Sequence, residues 1–159
     1  MLKKKAYLLW LGLAATIVLC DQLSKYIIMQ NLLLYQLHAL SSFLNLTLIY
    51  NSGAAFSFLS QHTQLAFWLF SLIAIVISVV LVVGIKRLPA RQPLMAAALS
   101  LVLGGAVGNV IDRFTHGYVV DFLDFHYQGW HFPAFNVADS AISLGAVLLL
   151  VYVVFNRRG

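Results

Sequence analysis

Between His62 and Ile85 the chain carries no Asp, Glu, Lys or Arg, and most of that run is Leu, Ile, Val, Phe and Ala. A hydrocarbon core of about 30 Å is crossed by about 20 helical residues, and every backbone polar group inside it must be satisfied within the segment. A run of this length and character is therefore a transmembrane helix. The same test selects three more segments, giving spans at approximately 6–28, 64–85, 93–111 and 137–156. With 62% hydrophobic and 9% charged residues in 159, the chain has far too little polar surface for an aqueous globule. Its length suits one domain, so residues 1–159 are read as a single integral membrane unit.

A net charge of +5 could point to nucleic acid, but the placement of the charges argues otherwise. Lys3, Lys4 and Lys5 precede the first span, Lys86, Arg87 and Arg91 fill the link between the second and third, and Arg157 and Arg158 follow the fourth. Eight of the ten basic residues thus sit at alternate ends. That is the positive-inside pattern for an even number of spans with both termini cytoplasmic. Lys25 and Arg113 are the exceptions, and each has an Asp close by. The expected partners are membrane lipid and whatever acts within it, and no nucleic acid. Lys3–Lys5 followed by an apolar run resembles a secretory signal. Leu19 before Cys20 is too large for a lipoprotein cleavage box, so the segment is read as an uncleaved span. The single cysteine permits no intramolecular disulfide and is expected to be inert packing.

By this topology the stretches 29–62 and 112–136 lie outside the cytoplasm. In the first, Leu44, Leu46 and Leu48 alternate with Asn45 and Thr47, the period of a half-buried strand, and Asn51-Ser52-Gly53 supplies turn chemistry. The fold class expected is an all-α membrane protein, four transmembrane helices with a small extracytoplasmic β-like segment. In span three, Gly104 and Gly108 share a helix face that lets another helix approach closely.

The five acidic residues are all aspartates: Asp21, Asp112, Asp121, Asp124 and Asp139. Ionisable groups are expensive at membrane depth and there pair, face a polar cavity or do chemistry. Asp121 and Asp139 are 18 residues apart, about 27 Å along a continuous helix. Gln128-Gly129-Trp130 and Pro133 favour a reversal instead, which can bring Asp139 at the outer end of span four against the segment bearing Asp121. Two adjacent carboxylates share a proton, an arrangement suited to amide hydrolysis by a general base and a general acid. Asp124 competes with Asp121, because in an extended segment the two point to opposite faces and only one can meet Asp139. Structural roles remain open for both: Asp139 also suits a helix N-terminus and Asp121 a surface loop. Asp21 has a ready partner in Lys25 at i,i+4, and Arg113 can reach a carbonyl or a lipid phosphate. Ser24-Lys25 hints at a Ser/Lys hydrolase, but neighbours in a helix point apart. The five histidines form no zinc motif and no nucleotide-binding loop occurs, so no metal and no cofactor is expected. A competing class is a small oligomeric proton or ion conductor with Asp21, Asp112 and Asp139 as relay carboxylates.

Five sequence blocks resemble one family, the bacterial lipoprotein signal peptidases, or signal peptidase II. They are Asp21-Gln22-Leu23-Ser24-Lys25, Asn51-Ser52-Gly53-Ala54-Ala55-Phe56, Gly104–Arg113, Val119-Val120-Asp121-Phe122 and Phe135-Asn136-Val137-Ala138-Asp139. Any one is weak, whereas all five in order over nearly the whole length are specific. The resemblance implies an intramembrane aspartyl endopeptidase of the bacterial inner membrane. Its substrates would be prolipoproteins bearing a diacylglyceryl cysteine, cut just before that residue. It implies that Asp121 rather than Asp124 joins Asp139 as the catalytic pair. Asn51, Gly53, Asn109, Arg113, Asn136 and Asp21 match substrate-binding or supporting positions. Residues 29–42 and 126–132 match nothing in the family.

Overall fold

The structure, a computed structural model, describes residues 6–53 and 63–156. Four helices, α1 (Ala6–Asn31), α2 (Thr63–Arg87), α3 (Pro93–His116) and α4 (Val137–Asn156), are each long and apolar enough to cross a membrane. Between them lie β1 (Leu37–Ala39), β2 (Leu44–Asn51), β3 (Val119–Tyr127) and β4 (Trp130–His131), an antiparallel sheet in the order β1-β2-β3-β4. Lys3–Lys5, Ala54–Phe56, His62, Arg157 and Arg158 fall outside the described residues.

Helix α3 is the hub. Over half (56%) of its most apolar stretch is buried, against 11% in α1 and α2 and 17% in α4. Its small residues explain the difference, because they let neighbouring backbones come close. A Cβ on Gly104 would lie 2.7 Å from Ile17 Cβ and 2.8 Å from the Ala14 carbonyl of α1. One on Gly105 would collide with the Ala138 carbonyl of α4. Gly104 therefore lets α1 approach, as the small-residue face suggests, and Gly105 does the same for α4. Gly108 yields room to a side chain: a Cβ there would meet Asp21 Oδ2 at 2.6 Å. The outer helices turn Leu9, Leu72, Val80, Leu150 and similar residues outward, where lipid rather than protein would cover them.

Helix α3 carries on past the approximate span end at residue 111, through Asp112 and Arg113 to His116, where Gly117 (φ 84°) donates its N–H to the Arg113 carbonyl. The charge at Asp112 does not end the helix because a buried cation answers it. Two expectations are corrected. Cys20 is exposed, not packed. In β2 the polar residues Asn45 and Thr47 are buried while Leu44 and Leu46 are half-buried. An extra β2 residue between Leu46 and Ile49 breaks the simple alternation, since Leu46 faces Leu123 but Ile49 faces Asp121.

The reversal before α4 is a tight hairpin. Gln128 (φ 48°) and Gly129 (φ 82°) occupy left-handed positions, and Tyr127 pairs with Trp130 across them. The chain then returns along β3, with Leu123 and Phe135 exchanging N–H···O bonds at 2.8 and 3.1 Å. This return sets the start of α4 beside Asp121.

Candidate active site

Residue Asn136 immediately precedes α4 and shapes its first turn. Its side-chain Oδ1 accepts the Asp139 N–H at 2.8 Å, and Asp139 Oδ2 accepts the Asn136 N–H at 3.3 Å. This reciprocal pair is a capping box with Asn and Asp in place of the usual Ser or Thr and Glu, and it satisfies helix donors that would otherwise be orphaned. The same Asn136 points its Nδ2 at Asp121 Oδ1, 2.7 Å away, and at the Val120 carbonyl at 3.2 Å. Asp121 and Asp139, far apart in sequence, are thus hydrogen-bonded to one fully buried asparagine.

Further donors complete each carboxyl. Asn51 Nδ2 donates to Asp121 Oδ2 at 2.9 Å, while Asn51 Oδ1 accepts the Gly53 N–H at 2.9 Å in an Asx turn. Gly53 suits this turn because its φ is 85° and a Cβ would press on the Phe70 ring at 3.0 Å. Asn109 Nδ2 donates to Asp139 Oδ1 at 2.8 Å. Arg113 donates to the Asn109 carbonyl at 3.1 Å, the carbonyl partner anticipated for it, and lies 5.8 Å from the Phe70 ring centroid. Asp121 is 2% exposed, and burial pushes its carboxyl up to about 7. The Asp139 charge adds to that, against the hydrogen bonds from Asn51 and Asn136 and the Lys25 charge.

Asp124 is differently committed. It accepts from Asn45 Nδ2 at 2.9 Å and from His131 Nδ1 at 2.8 Å. Burial tends to raise its carboxyl, but the Asn45 and His131 contacts outweigh this and hold it below the usual carboxylate range. The two rivals for Asp139 are therefore separated by partners as well as by strand alternation.

Beneath the pair lies a buried ion cluster whose extent the sequence did not disclose. Lys25 Nζ sits 2.7 Å from Asp21 Oδ2 and 2.8 Å from Asp112 Oδ2, and all three residues are 1% exposed or less. Only the Asp21–Lys25 half was legible, from its i,i+4 spacing. Asp21 Oδ1 also accepts the Ala138 N–H of α4 at 2.9 Å, and Asp112 Oδ2 the Val120 N–H of β3 at 3.0 Å. Asp21 is thus not in the pair's own hydrogen-bond shell; it holds the α4 terminus that presents Asp139. The N-x-x-D pattern before an apolar run would have revealed the Asn136 cap, whereas no sequence signal joins Lys25 to Asp112. Ser24 donates to the Asp21 carbonyl at 2.8 Å, so a Ser24–Lys25 catalytic dyad does not form. No cluster of His, Cys and Asp suited to a metal ion occurs among the described residues.

Two clefts open beside the carboxyls, with Pro133 and Ala134 lining both. One, of about 260 Å³, includes Asp121, Asn51 and Ile49. The other, of about 410 Å³, includes Asp139, Phe132, Phe135 and Ser143. One carboxyl thus lines each cleft, and Pro133 and Ala134 stand between the two.

A hub helix of small residues, a sheet at one end of the bundle and buried carboxyls between them define an integral membrane protein with a polar site at one end of its helices. Two solved bacterial membrane enzymes, obtained by the in meso method, share the architecture at a TM-score of 0.84. They are 34% and 35% identical in sequence, covering 98% and 96% of this chain and 93% and 97% of theirs. The family profile for signal peptidase (SPase) II matches residues 13–155, and the chain belongs to that family, which makes it a protease. Among its relatives are the lipoprotein signal peptidases of Burkholderia multivorans and Burkholderia vietnamiensis. Each is 51% identical over 150 residues, 94% of this chain and 90% of the relative.

Proposed function

We propose that this protein is an aspartyl endopeptidase of the bacterial inner membrane that removes the signal peptide from prolipoproteins, cutting before a diacylglyceryl cysteine. The observation that carries the aspartyl mechanism is the joint hold of Asn136 on Asp121 and Asp139. With its carboxyl lifted to about 7, Asp121 carries a proton over much of the neutral range. In this reading the ionised member of the pair takes a proton from water as the water oxygen bonds to the scissile carbonyl carbon. The protonated member gives its proton to the carbonyl oxygen. Collapse of the tetrahedral intermediate breaks the C–N bond; the departing amine of the lipidated cysteine takes up a proton from one carboxyl while a hydroxyl of the intermediate returns its proton to the other, which restores the pair. Asn51 and Arg113 border the carboxyls on the sheet and α3 sides, where they can hold peptide carbonyls, and Gly53 closes the turn that aims Asn51. The substrate's acyl chains remain in the bilayer and keep the bond at the outer rim.

The test uses purified protein in detergent with a diacylated prolipoprotein peptide, product being scored by mass. Asp121→Asn and Asp139→Asn should each lower turnover by about 10³-fold or more while the protein stays folded. Clear residual cleavage by either variant contradicts the reading. Turnover should also survive EDTA; loss of cleavage restored by zinc would refute a metal-free reaction.

A further inference from the structure

Lys25 is the one fully buried cation of the described residues, and the proposed reaction gives it no part. Its ammonium has three N–H donors and no acceptor. All three have a partner: Asp21 Oδ2 at 2.7 Å, Asp112 Oδ2 at 2.8 Å and Asn109 Oδ1 at 3.2 Å. The third contact matters most, because a side-chain amide is unsymmetrical. One end of Asn109 can only accept and the other can only donate. An ammonium beside it forces the oxygen inward, where Asn136 Nδ2 also approaches at 3.3 Å. The Asn109 NH₂ is thereby turned outward onto Asp139 Oδ1 at 2.8 Å. Without the ammonium, the inward oxygen keeps only Asn136, whose Nδ2 is already shared between Asp121 and the Val120 carbonyl. A flipped Asn109 would set its oxygen against Asp139 and replace attraction by repulsion.

We propose that Lys25 is a positioning residue for the reaction: held by Asp21 and Asp112, it dictates the orientation of the Asn109 amide and so keeps an N–H donor on Asp139. This rests on the reading of Asp121 and Asp139 as the catalytic pair. The charged groups facing Lys25 are Asp21 from its own helix, Asp112 from α3 and, at longer range, Asp121 from β3. Lys25 itself touches no reacting atom.

Because Lys25→Met alone strands two buried carboxylates, the test removes one of them as well. Lys25→Met/Asp112→Asn keeps the cluster's net charge unchanged, and Asp112→Asn alone serves as its control. Turnover of the diacylated peptide and the thermal unfolding midpoint are measured in detergent for each, with Asn109 present and with Asn109→Ala. The double variant should lose about 10- to 100-fold in kcat with little change in KM relative to Asp112→Asn alone, which isolates the part that belongs to the ammonium. In the Asn109→Ala background the Lys25 substitution should cause almost no further loss, since its route to Asp139 is gone. Equal losses in both backgrounds would overturn the proposal. So would a double variant no slower than Asp112→Asn alone, or a loss matched by collapse of the folded protein, each of which makes Lys25 mere scaffold. Turnover retained by Asp139→Asn, run in the same series, would instead sink the catalytic pair, a result distinct from each of those that overturn the role of Lys25.

Discussion

At the scale of single residues, the site is governed by which polar atoms are spoken for. Asp124 accepts from Asn45 and His131, whereas Asp121 shares Asn136 with Asp139. Asp124→Asn should therefore leave cleavage within a fewfold of the parent, in contrast to Asp121→Asn; equal losses in the two variants would show that the partners do not separate them. The titration of Asp121 gives a second test. Its folded pKa, about 7, lies above the ordinary aspartate value of 3.8, so its contribution to stability is present at low pH and is lost as pH rises through about 7. Between pH 4 and pH 8 the thermal midpoint of the parent should fall more than that of Asp121→Asn, which has no such titration. Parallel curves in a thermal-shift series would deny the raised pKa. Much of this detail was hidden in the sequence. Asp121 and Asp124 are both aspartates in the same strand, and only their neighbours in space differ.

At the scale of elements, close approach to α3 decides which substitutions are tolerated. Gly105 faces the backbone of α4, and a carbonyl cannot swing aside as a flexible side chain can. Gly105→Ala should destabilise the protein by about 1–3 kcal/mol, read as a lower thermal midpoint in detergent. Gly12 has nothing within 4 Å of a built Cβ, so Gly12→Ala in α1 should be neutral or stabilising by up to about 1 kcal/mol. A larger loss from Gly12→Ala than from Gly105→Ala would reverse the packing assignment. The four helices were legible because length and hydropathy are local properties. The ionic partner of Asp112 at the outer end of α3 was not, since Lys25 comes from another helix. The β2 alternation misled for a similar reason: the bulge against β3 is a property of the pair of strands and not of either one.

At the scale of the whole molecule, the basic residues and the site make one joint prediction. Lys86, Arg87 and Arg91 bracket the α2–α3 link, at the end of the bundle opposite the sheet. The inner-membrane reading places that link in the cytoplasm and the carboxyls toward the outer face. A periplasm-dependent reporter inserted at Pro89 should stay inactive, and the same reporter inserted at Ser41 should be active. The opposite result would invert the protein in the membrane.

The sequence by itself determined the four apolar helices, the alternation of basic ends and the ordered family blocks, because each is written in contiguous residues. Only the tertiary structure decided that Lys25 answers two aspartates, that Asn136 grips two more, and that Asp124 is engaged elsewhere. Contacts of this kind reach further still: Asp21 accepts from the Ala138 N–H of α4, 117 positions away. The reason is one of solvation. In a chain this apolar a charge survives burial only where the fold supplies its partners, and neither spacing nor composition can say which partners arrive.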